Sequence, residues 1–344
     1  MSANGQAICS VSACVTATST HSPSPIAPTA SPSTVTDACR TRCTNPAFTN
    51  PAIPDAWQTR SVIELSAQGT NGTNGTNGTK AITAITAITG PRCTISPEDG
   101  GRVVELHVSG RQLLVEQILP DPISWGCYPM APFAGRVRNG RFEFDGKEFQ
   151  LEINMPPHSI HGSAFLQPWS VSDVSDTFVV MRCGLDDHWP FGGWVGQRIE
   201  LFDDRLECRL TITADDLAMP AQIGWHPWFV KPDSAQIDFD VMYVRDPDGI
   251  PTGELVPSPS GPWDDCFVGP RGPLRLHYGD LVVQIDSDCD HWVIYDEQVR
   301  ATCVEPQSGP PDGFNSVNAH AFTRLSPGES VERSMTISWH VTCP

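Results

Sequence analysis

The sequence predicts an all-β fold, a large antiparallel β-sandwich that follows a disordered N-terminal tail. Short runs in which apolar and polar side chains alternate recur after residue 90, and a period of two is typical of half-buried strands. Loops rich in Gly, Pro and Asp separate these runs, and no segment repeats its apolar residues every 3.6 positions as a helix would. The number of runs indicates a sandwich larger than an immunoglobulin domain.

Residues 1–90 are predicted to be a low-complexity tail or linker, and residues 91–344 to be the sandwich domain. From residue 10 to residue 54 the chain consists mainly of Ser, Thr, Ala and Pro, a composition that cannot bury enough apolar surface to fold. Two tandem repeats follow, Gly-Thr-Asn from Gly69 and Ala-Ile-Thr from Ala81. Both are far shorter than the repeat unit of a solenoid. Two interpretations stay open: a flexible linker, or residues added by an upstream start codon.

The predicted domain is strongly acidic. The whole chain has 22 basic and 40 acidic residues, and the tail contains four basic and three acidic ones, so the domain carries 18 − 37 = −19. Negative charge repels phosphate backbones and anionic lipid surfaces. The sequence therefore predicts neither nucleic acid nor a membrane as a partner and favours an uncharged substrate.

Neither a secretory signal nor a membrane span is recognisable, so the sequence predicts a cytoplasmic protein. No run approaches the length of about eighteen apolar residues that a span needs, and the first ten residues lack the charged and apolar regions of a signal peptide. The twelve cysteines include no C-x-x-C pair. In a reducing compartment such cysteines are most often buried small hydrophobes.

Two hairpins can be placed from turn residues. The runs 102–108 and 112–115 flank a Ser-Gly turn, and the runs 141–144 and 147–151 flank Asp145-Gly146, which is the strongest short-range hairpin signal. Further strands are predicted at residues 177–183, 197–201, 206–214, 221–224, 281–286, 292–295 and 331–339.

Three stretches carry candidate basic or imidazole groups. Arg136 lies among small residues at 132–140, where it is either a pocket residue or a surface arginine. His158 and His161 precede Gly162, and imidazoles that donate hydrogen bonds into a pocket explain them better than a metal site that lacks a third ligand. His226 lies in Gly-Trp-His-Pro-Trp-Phe at 224–229, where, without context, a packed core histidine is the more frequent interpretation.

Two stretches carry candidate acids. Glu305 follows an apolar run that ends in a loop at 303–315, and a carboxylate there is costly to bury unless it is paired or functional. Burial in a cleft would raise its pKa toward the range that suits a base near neutral pH. Asp264 and Asp265 are adjacent, so on a strand only one of them can face a pocket.

In their order along the chain, these stretches resemble the motifs of the aldose 1-epimerase (galactose mutarotase) family, in particular a shorter bacterial branch. The resemblance extends from Arg102 to Trp339. Its motifs are Ala-Gly-Arg at 134–136, His-Gly at 161–162, Gly-x-His-Pro-aromatic at 224–228, aromatic-Asp-Asp-x-Phe at 263–267 and Val-Glu-Pro-Gln at 304–307. It implies a galactose mutarotase-like supersandwich with an open sugar-binding cleft, and neither a cofactor nor a metal.

The resemblance also implies a role for each site residue. His226 would be the general acid and Glu305 the general base, while Arg136, His161 and Asp264 would hold sugar hydroxyls or the ring oxygen. The base would take the proton of the anomeric hydroxyl of a free hexose as the acid protonates the ring oxygen, so that the ring opens and recloses on the other face. The aromatic neighbours of His226, namely Trp225, Trp228 and Phe229, are candidate walls of the pocket.

Other functions stay open beside this one. Trp225 before His226 and Ser163 after His161-Gly162 depart from the galactose-type pattern, which leaves the sugar open. A hexose-6-phosphate 1-epimerase of the same fold would use Arg138 and Arg141 for the phosphate, although the acidic domain argues mildly against it. A non-catalytic sugar-binding or regulatory module would need hydroxyl partners but no matched acid and base. The predicted partner is a small sugar, and the predicted state is a monomer or homodimer.

Overall fold

The protein, seen in a computed structural model, is described over residues 61–67, 90–185, 188–316 and 321–342. Over these ranges it contains 25 strands, three short 3-10 helices and no α-helix, which confirms the all-β prediction. None of its described helices is long and apolar enough to cross a membrane.

The strands are numbered in chain order. They are β1 (Ile63–Ser66), β2 (Arg92–Ser96), β3 (Arg102–Val108), β4 (Arg111–Gln112), β5 (Cys127–Met130), β6 (Arg136–Val137), β7 (Arg141–Phe144), β8 (Lys147–Gln150), β9 (Ser159–Ile160), β10 (Ser170–Val174), β11 (Phe178–Gly184), β12 (Trp194–Leu201), β13 (Arg205–Thr213), β14 (Met219–Ala221), β15 (Gly224–Val230), β16 (Ser234–Gln236), β17 (Phe239–Arg245), β18 (Pro251–Pro257), β19 (Asp264–Pro270), β20 (Leu274–Tyr278), β21 (Leu281–Ser287), β22 (His291–Tyr295), β23 (Ala301–Gln307), β24 (Thr323–Leu325) and β25 (Ser330–Val341). The 3-10 helices are Arg138–Gly140, Ala164–Leu166 and Gly313–Asn315.

Two large antiparallel sheets form the sandwich. The first sheet has eleven strands in the order β1-β2-β3-β5-β15-β23-β22-β19-β17-β18, with β4 paired to β3. The second has eight strands in the order β10-β11-β12-β13-β25-β21-β20-β16. Three further sheets have two strands each, namely β6-β9, β7-β8 and β14-β24.

The inner faces of the two large sheets share one hydrophobic core. Alternate residues point inward, so that Trp225 and Phe229 of the first sheet join Ile199 and Ile337 of the second in a single buried cluster. The outer face of the first sheet carries a smaller cluster around Tyr128. Because residues alternate between the two faces, the strands that build the core also present side chains to a site on the outer face.

Several predicted elements are confirmed. β7 and β8 form the hairpin around Asp145-Gly146, and both turn residues have positive φ angles of 52° and 71°, as a type I′ turn requires. The strands predicted at 177–183, 197–201, 206–214, 281–286, 292–295 and 331–339 correspond to β11, β12, β13, β21, β22 and β25.

Two strand predictions are wrong in part. The run 112–115 is not a hairpin strand beyond Gln112, because Leu114 instead forms a bridge with Phe229 of β15. The strand predicted at 221–224 is divided between β14 and β15 at Gln222, whose side chain donates to the carbonyls of Pro310 and Ala321.

The tail prediction does not hold for one short segment. β1 lies within residues 1–90, yet it pairs with β2, with Leu65 opposite Cys93, and Leu65 is fully buried in the shared core. β1 has only four residues, which are too few for a period of two to be recognised, and this explains the error. The remainder of the predicted tail, residues 1–60 and 68–89, lies outside the described residues.

Candidate active site

A pocket of about 240 Å³ lies on the outer face of the eleven-stranded sheet. The structure brings all five residues singled out from the sequence to its lining, although they come from stretches up to 169 residues apart (305 − 136). They are Arg136, His161, His226, Asp264 and Glu305.

His226 and Glu305 lie side by side on neighbouring strands. β15 and β23 pair in a register that sets Gly224 opposite Gln307 and Trp228 opposite Cys303, so His226 lies opposite Glu305. Their Nε2 and Oε1 atoms are 3.2 Å apart. Both residues are buried, with 4% and 2% of their surface exposed. The prediction that Glu305 ends a strand is wrong in detail, because it lies inside β23.

Two aromatic rings hold the imidazole of His226. Tyr128 stacks on one side at 4.9 Å between ring centres, and Trp228 stacks at 5.1 Å. The Nδ1 atom of His226 has no hydrogen-bond partner among the described residues. Stacking therefore sets the orientation of the ring, and its Nε2 atom points to Glu305.

The surroundings of Glu305 favour its protonated form. Burial raises the pKa of Glu305 well above its ordinary value, and the negative charge of Asp264 raises it further. The side chain of Gln307 donates a hydrogen bond to Oε2 at 3.3 Å, and this bond and the charge of Arg136 lower the pKa in part. Glu305 can thus hold a proton at a pH at which an exposed glutamate has lost it.

The surroundings of His226 favour its neutral form. Burial lowers the pKa of His226 well below its ordinary value, and the neighbouring His161 adds to the effect. A neutral imidazole with a protonated carboxyl contains as many protons as an imidazolium with a carboxylate. The pair can therefore move one proton between Nε2 and Oε1 without changing its net charge.

His161 is held in a constrained conformation. Its φ angle is +60°, and it is followed by Gly162, where a Cβ atom would lie 2.0 Å from the carbonyl oxygen of Ala131. Only glycine fits so close to backbone. The backbone N–H of Gly135 donates to Nδ1 of His161 at 3.3 Å, which leaves Nε2 as the N–H donor. Burial and the charge of Arg136 lower the pKa of His161 to about 3, so it is a neutral donor.

Of the two adjacent acids on β19, Asp264 lines the pocket and Asp265 does not, as the period of two predicts. Asp264 lines the pocket and lies opposite Tyr295 of β22. Arg245 contacts both acids, through Nη1 to Asp264 at 2.8 Å and through Nε to Asp265 at 3.1 Å. The arginine fixes the carboxylate of Asp264 beside the pocket, where it can accept hydrogen bonds.

Three sequence candidates lie away from the pocket. Trp225 and Phe229 face the core between the sheets, and only Trp228 of the three predicted walls lines the pocket. His158 accepts a hydrogen bond from the backbone of Asn139 at 3.1 Å and is a structural residue of that loop. The alternation of β15 accounts for the two core residues.

The arginines considered for a phosphate are both paired with acids. Arg138 contacts Asp246, Asp248 at 2.9 Å and Asp312 at 3.9 Å. Arg141 contacts Glu148 at 3.9 Å. Neither arginine lines the 240 Å³ pocket, so the structure does not place them where a substrate in that pocket would need them.

Sequence reasoning missed Gln307, Tyr128 and Tyr295. Gln307 could have been predicted, because a residue two positions after Glu305 on a strand must lie on the same face. Tyr128 and Tyr295 lie in short apolar strands with no polar pattern, and only the register of the sheet brings them to the site.

One set of three donor atoms could in principle hold a metal ion. Among the described residues, the donor atoms of His226, Cys303 and Glu305 lie within 4.8 Å of one another. Metals bind the thiolate form of cysteine, whereas burial raises the pKa of the Cys303 thiol well above its ordinary value. The donor set thus suits proton transfer better than metal binding.

The chain is similar in sequence to known proteins. A sequence model described as aldose 1-epimerase matches residues 88–298, which are 211 of the 344 residues. The protein YphB of Escherichia coli (strain K12) is 24% identical over 248 residues, covering 62% of this chain and 84% of that protein. The maltose epimerase of Levilactobacillus brevis is 29% identical over 187 residues, covering 47% of this chain and 53% of that protein.

A solved structure supports the architecture. The crystal structure of the GalM/aldose epimerase homologue from C. elegans matches with a TM-score of 0.68 at 16% identity, covering 83% of this chain and 100% of that one. At this identity the likeness establishes the galactose mutarotase-like fold and nothing about the substrate.

Proposed function

The chain belongs to the aldose 1-epimerase family, and on this premise we propose that it interconverts the α- and β-anomers of a free hexose by general acid/base catalysis. The observation that carries the proposal is the buried contact of 3.2 Å between His226 Nε2 and Glu305 Oε1 inside a pocket. Binding a sugar needs only hydroxyl partners. A matched, desolvated acid and base is what ring opening needs in addition.

The spacing of the pair suits the two reacting oxygens. The anomeric hydroxyl and the ring oxygen are bonded to the same carbon, so they lie closer together than 3.2 Å. One donor and one acceptor at the spacing of His226 and Glu305 can therefore contact both oxygens at once. A proton first moves from Oε1 of Glu305 to Nε2 of His226. The resulting carboxylate takes the proton of the hydroxyl while the imidazolium gives one to the ring oxygen, and the bond between the anomeric carbon and the ring oxygen breaks.

Reclosure reverses both transfers. In the open chain the new carbonyl rotates, and the former ring hydroxyl attacks its other face. His226 then takes the proton of that hydroxyl as Glu305 returns one to the carbonyl oxygen. Each half-reaction exchanges the ionised and neutral forms of the pair, which have the same net charge, so the buried site never has to accommodate an uncompensated charge.

The other lining residues hold the sugar. His161 Nε2 and the guanidinium of Arg136 donate, while the carboxylate of Asp264 accepts from sugar hydroxyls. The ring of Trp228 offers a flat apolar surface to the C–H face of the pyranose. Together they hold the anomeric carbon beside the acid and the base. Such orientation of the reacting atoms raises the rate of ring opening more than sugar binding alone does.

Polarimetry on freshly dissolved α-glucose and α-galactose tests the proposal. We expect the protein to accelerate the approach to the equilibrium rotation well beyond the rate in buffer. A protein that binds these sugars in calorimetry but leaves the rate unchanged would be the non-catalytic module. Acceleration confined to glucose 6-phosphate would support the phosphate alternative.

A further inference from the structure

Glu305 has two carboxyl oxygens, and their surroundings differ. Oε1 lies 3.2 Å from Nε2 of His226, whereas Oε2 accepts a hydrogen bond from the side-chain N–H of Gln307 at 3.3 Å. Ring opening begins with the transfer of a proton from Oε1 to Nε2. A protonated Glu305 is therefore ready to react only when its proton is on Oε1, because a proton on Oε2 is turned toward Gln307 and away from the imidazole.

Gln307 is firmly held beside Glu305. It is 0% exposed, and because it lies two residues further along β23 both side chains line the pocket. Gly224 lies opposite Gln307 on β15. A Cβ atom at Gly224 would be 2.3 Å from the carbonyl oxygen of Pro306 and 3.0 Å from Cα of Gln307. Only glycine allows the two strands to approach so closely, and this approach fixes the backbone at Gln307.

The neighbour of Gln307 on β22 favours the orientation of its amide. His291 is directly paired with Gln307, and burial lowers the pKa of His291, which keeps the imidazole neutral. Its Nε2 atom lies 3.3 Å from the hydroxyl of Tyr243. When that hydroxyl donates to Nε2, the imidazole carries its proton on Nδ1. Among the described residues, neither Nδ1 of His291 nor Oε1 of Gln307 has a hydrogen-bond partner. An N–H on this side attracts the amide oxygen and leaves the amide N–H for Glu305.

The N–H of Gln307 makes Oε2 the less favourable position for the proton of Glu305. A hydrogen bond joins one donor and one acceptor, so an O–H group at Oε2 would turn a second donor toward the amide N–H. At Oε1 the same proton meets an acceptor, the neutral Nε2 atom of His226. The two neighbours of the carboxyl group thus favour the same one of its two protonated forms.

We propose that Gln307 is a positioning residue that places the proton of Glu305 on Oε1, the oxygen from which His226 can take it. This inference rests on the proposed epimerase function and adds a residue to its proton path. Gln307 does not exchange a proton itself. It raises the fraction of protein molecules in which the acid/base pair is ready to react.

Infrared spectroscopy tests the position of the proton without requiring turnover. At mildly acidic pH, the C=O stretching band of protonated Glu305 is obtained as the difference between the wild type and Glu305→Gln. The same difference is then measured in a Gln307→Met background. With the proton on Oε1, the carbonyl oxygen is Oε2, which accepts from Gln307. Loss of that hydrogen bond should move the band to higher wavenumber, and an unchanged band or one at lower wavenumber would overturn the inference.

Mutarotation kinetics measure the effect of the proton's position on the rate. We expect Gln307→Met to lower kcat roughly tenfold or more, as for the loss of a hydrogen bond to a charged group, and to change KM much less. The alkaline limb of kcat/KM should move to higher pH, because the N–H of Gln307 lowers the pKa of Glu305.

This shift of the alkaline limb distinguishes positioning from a structural role. The variant leaves unchanged the other ionisable groups around Glu305, which are Tyr128, Arg136, His226, Asp264, Cys266 and Cys303. Gln197→Met is the matched control, because Gln197 is 3% exposed and donates to the carbonyl of Gly101 at 2.7 Å, away from the pocket. It should leave both the limb and the infrared band in place.

Gln307→Glu is an independent test, because glutamate has the same length as glutamine. A protonated carboxyl group at position 307 can donate through its O–H to Oε2, whereas an ionised one cannot. We expect this variant to approach the wild-type kcat at acidic pH and to lose activity relative to the wild type as the pH rises. A ratio to the wild type that stays constant with pH would overturn the inference. A wild type that accelerates the mutarotation of no sugar would instead refute the proposed function, and the infrared bands would still show which oxygen carries the proton.

Discussion

His226 and Glu305 face each other across β15 and β23 with 3.2 Å between Nε2 and Oε1. The contact depends on the register of two central strands. Because side chains alternate, a shift of one residue in either strand would replace one of the two groups by a chain neighbour, namely Trp225, Pro227, Val304 or Pro306. The pairing at the centre of the sheet thus also assembles the acid/base pair.

Substitution of either member of the pair should abolish most of the activity. We expect Glu305→Gln and His226→Asn each to lower kcat for mutarotation by about 10²–10⁴-fold, because each removes one proton-transfer partner. The double variant should be little worse than either single one, since the two groups act as a unit. Polarimetric rates would show this, with Glu143→Gln, an exposed glutamate on β7, as the control. A single variant with wild-type kcat would contradict the assignment.

The acid limb of the kcat/KM pH profile should lie below the ordinary histidine pKa. The pair with one shared proton takes up a second proton at His226, whose pKa is lowered from 6.5. It loses its last proton from Glu305, whose pKa is raised from 4.5. The acid limb therefore lies below pH 6.5 and the alkaline limb well above pH 4.5. An acid limb with its inflection at about pH 6.5 would show that His226 titrates as an exposed residue.

Removal of the Asp264 charge should move the alkaline limb. The charge of Asp264 raises the pKa of Glu305, so Asp264→Asn should shift that limb to lower pH, beyond any loss of sugar binding. Asp265→Asn is a matched control, because the two acids share Arg245 but Asp265 does not line the pocket. The pH dependence of kcat/KM distinguishes them, and equal shifts in both variants would contradict a specific effect of Asp264.

Glu305 should cost the protein stability near neutral pH. A carboxyl group whose folded pKa is raised binds more protons in the folded state, so stability is fully present below pH 4.5 and is lost as pH rises toward the folded pKa. Glu305→Gln removes this loss of stability, because the glutamine amide does not ionise. We expect the variant to be more stable than the wild type at pH 8 and to lose that advantage near pH 4. Urea unfolding at both values measures it, and a variant that is less stable at pH 8 would refute the sign.

The residues of the candidate site were easier to predict than the strands on which they lie. Arg136, His161, His226, Asp264 and Glu305 lie in stretches where polar groups adjoin Gly, Pro or aromatic residues, and their order resembles one family. No single stretch was decisive, since His226 alone favours a core residue. The order of motifs supplied the information that local chemistry lacked.

The strands of the site were hidden by proline and by burial. Pro227 lies inside β15 and Pro306 inside β23, whereas proline normally argues against a central strand. All seven residues of β23 are buried, so that strand shows no alternation of apolar and polar side chains. The pairing of β15 with β23 and β5 depends on contacts between distant segments, and no local pattern specifies them.

The two tryptophans beside His226 should respond differently to truncation. Trp225 lies in the core and donates to Gln197 at 3.0 Å, so Trp225→Ala should lower the free energy of unfolding by about 3–5 kcal/mol. Trp228 stacks on His226 at the pocket, and Trp228→Ala should lower kcat/KM more than tenfold in the variant that remains folded. Urea unfolding and polarimetry on both variants separate the roles. A larger loss of kcat/KM in folded Trp225→Ala than in folded Trp228→Ala would show that the two residues are assigned to the wrong faces.

The strand β1 should contribute measurably to the stability of the sandwich. Leu65 is fully buried in the core, whereas Val62, three residues earlier, is 50% exposed. We expect Leu65→Ala to lower the free energy of unfolding by about 2–5 kcal/mol, because it leaves a cavity beside Cys93. Val62→Ala, the matched control, should change it by less than about 0.5 kcal/mol. Deletion of residues 1–67 removes β1, so it should destabilise the protein at least as much as Leu65→Ala does. The distant acid/base pair should keep its geometry in the molecules that remain folded. Equal stabilities of the Leu65 and Val62 variants would show that β1 does not pack on the sheet in solution.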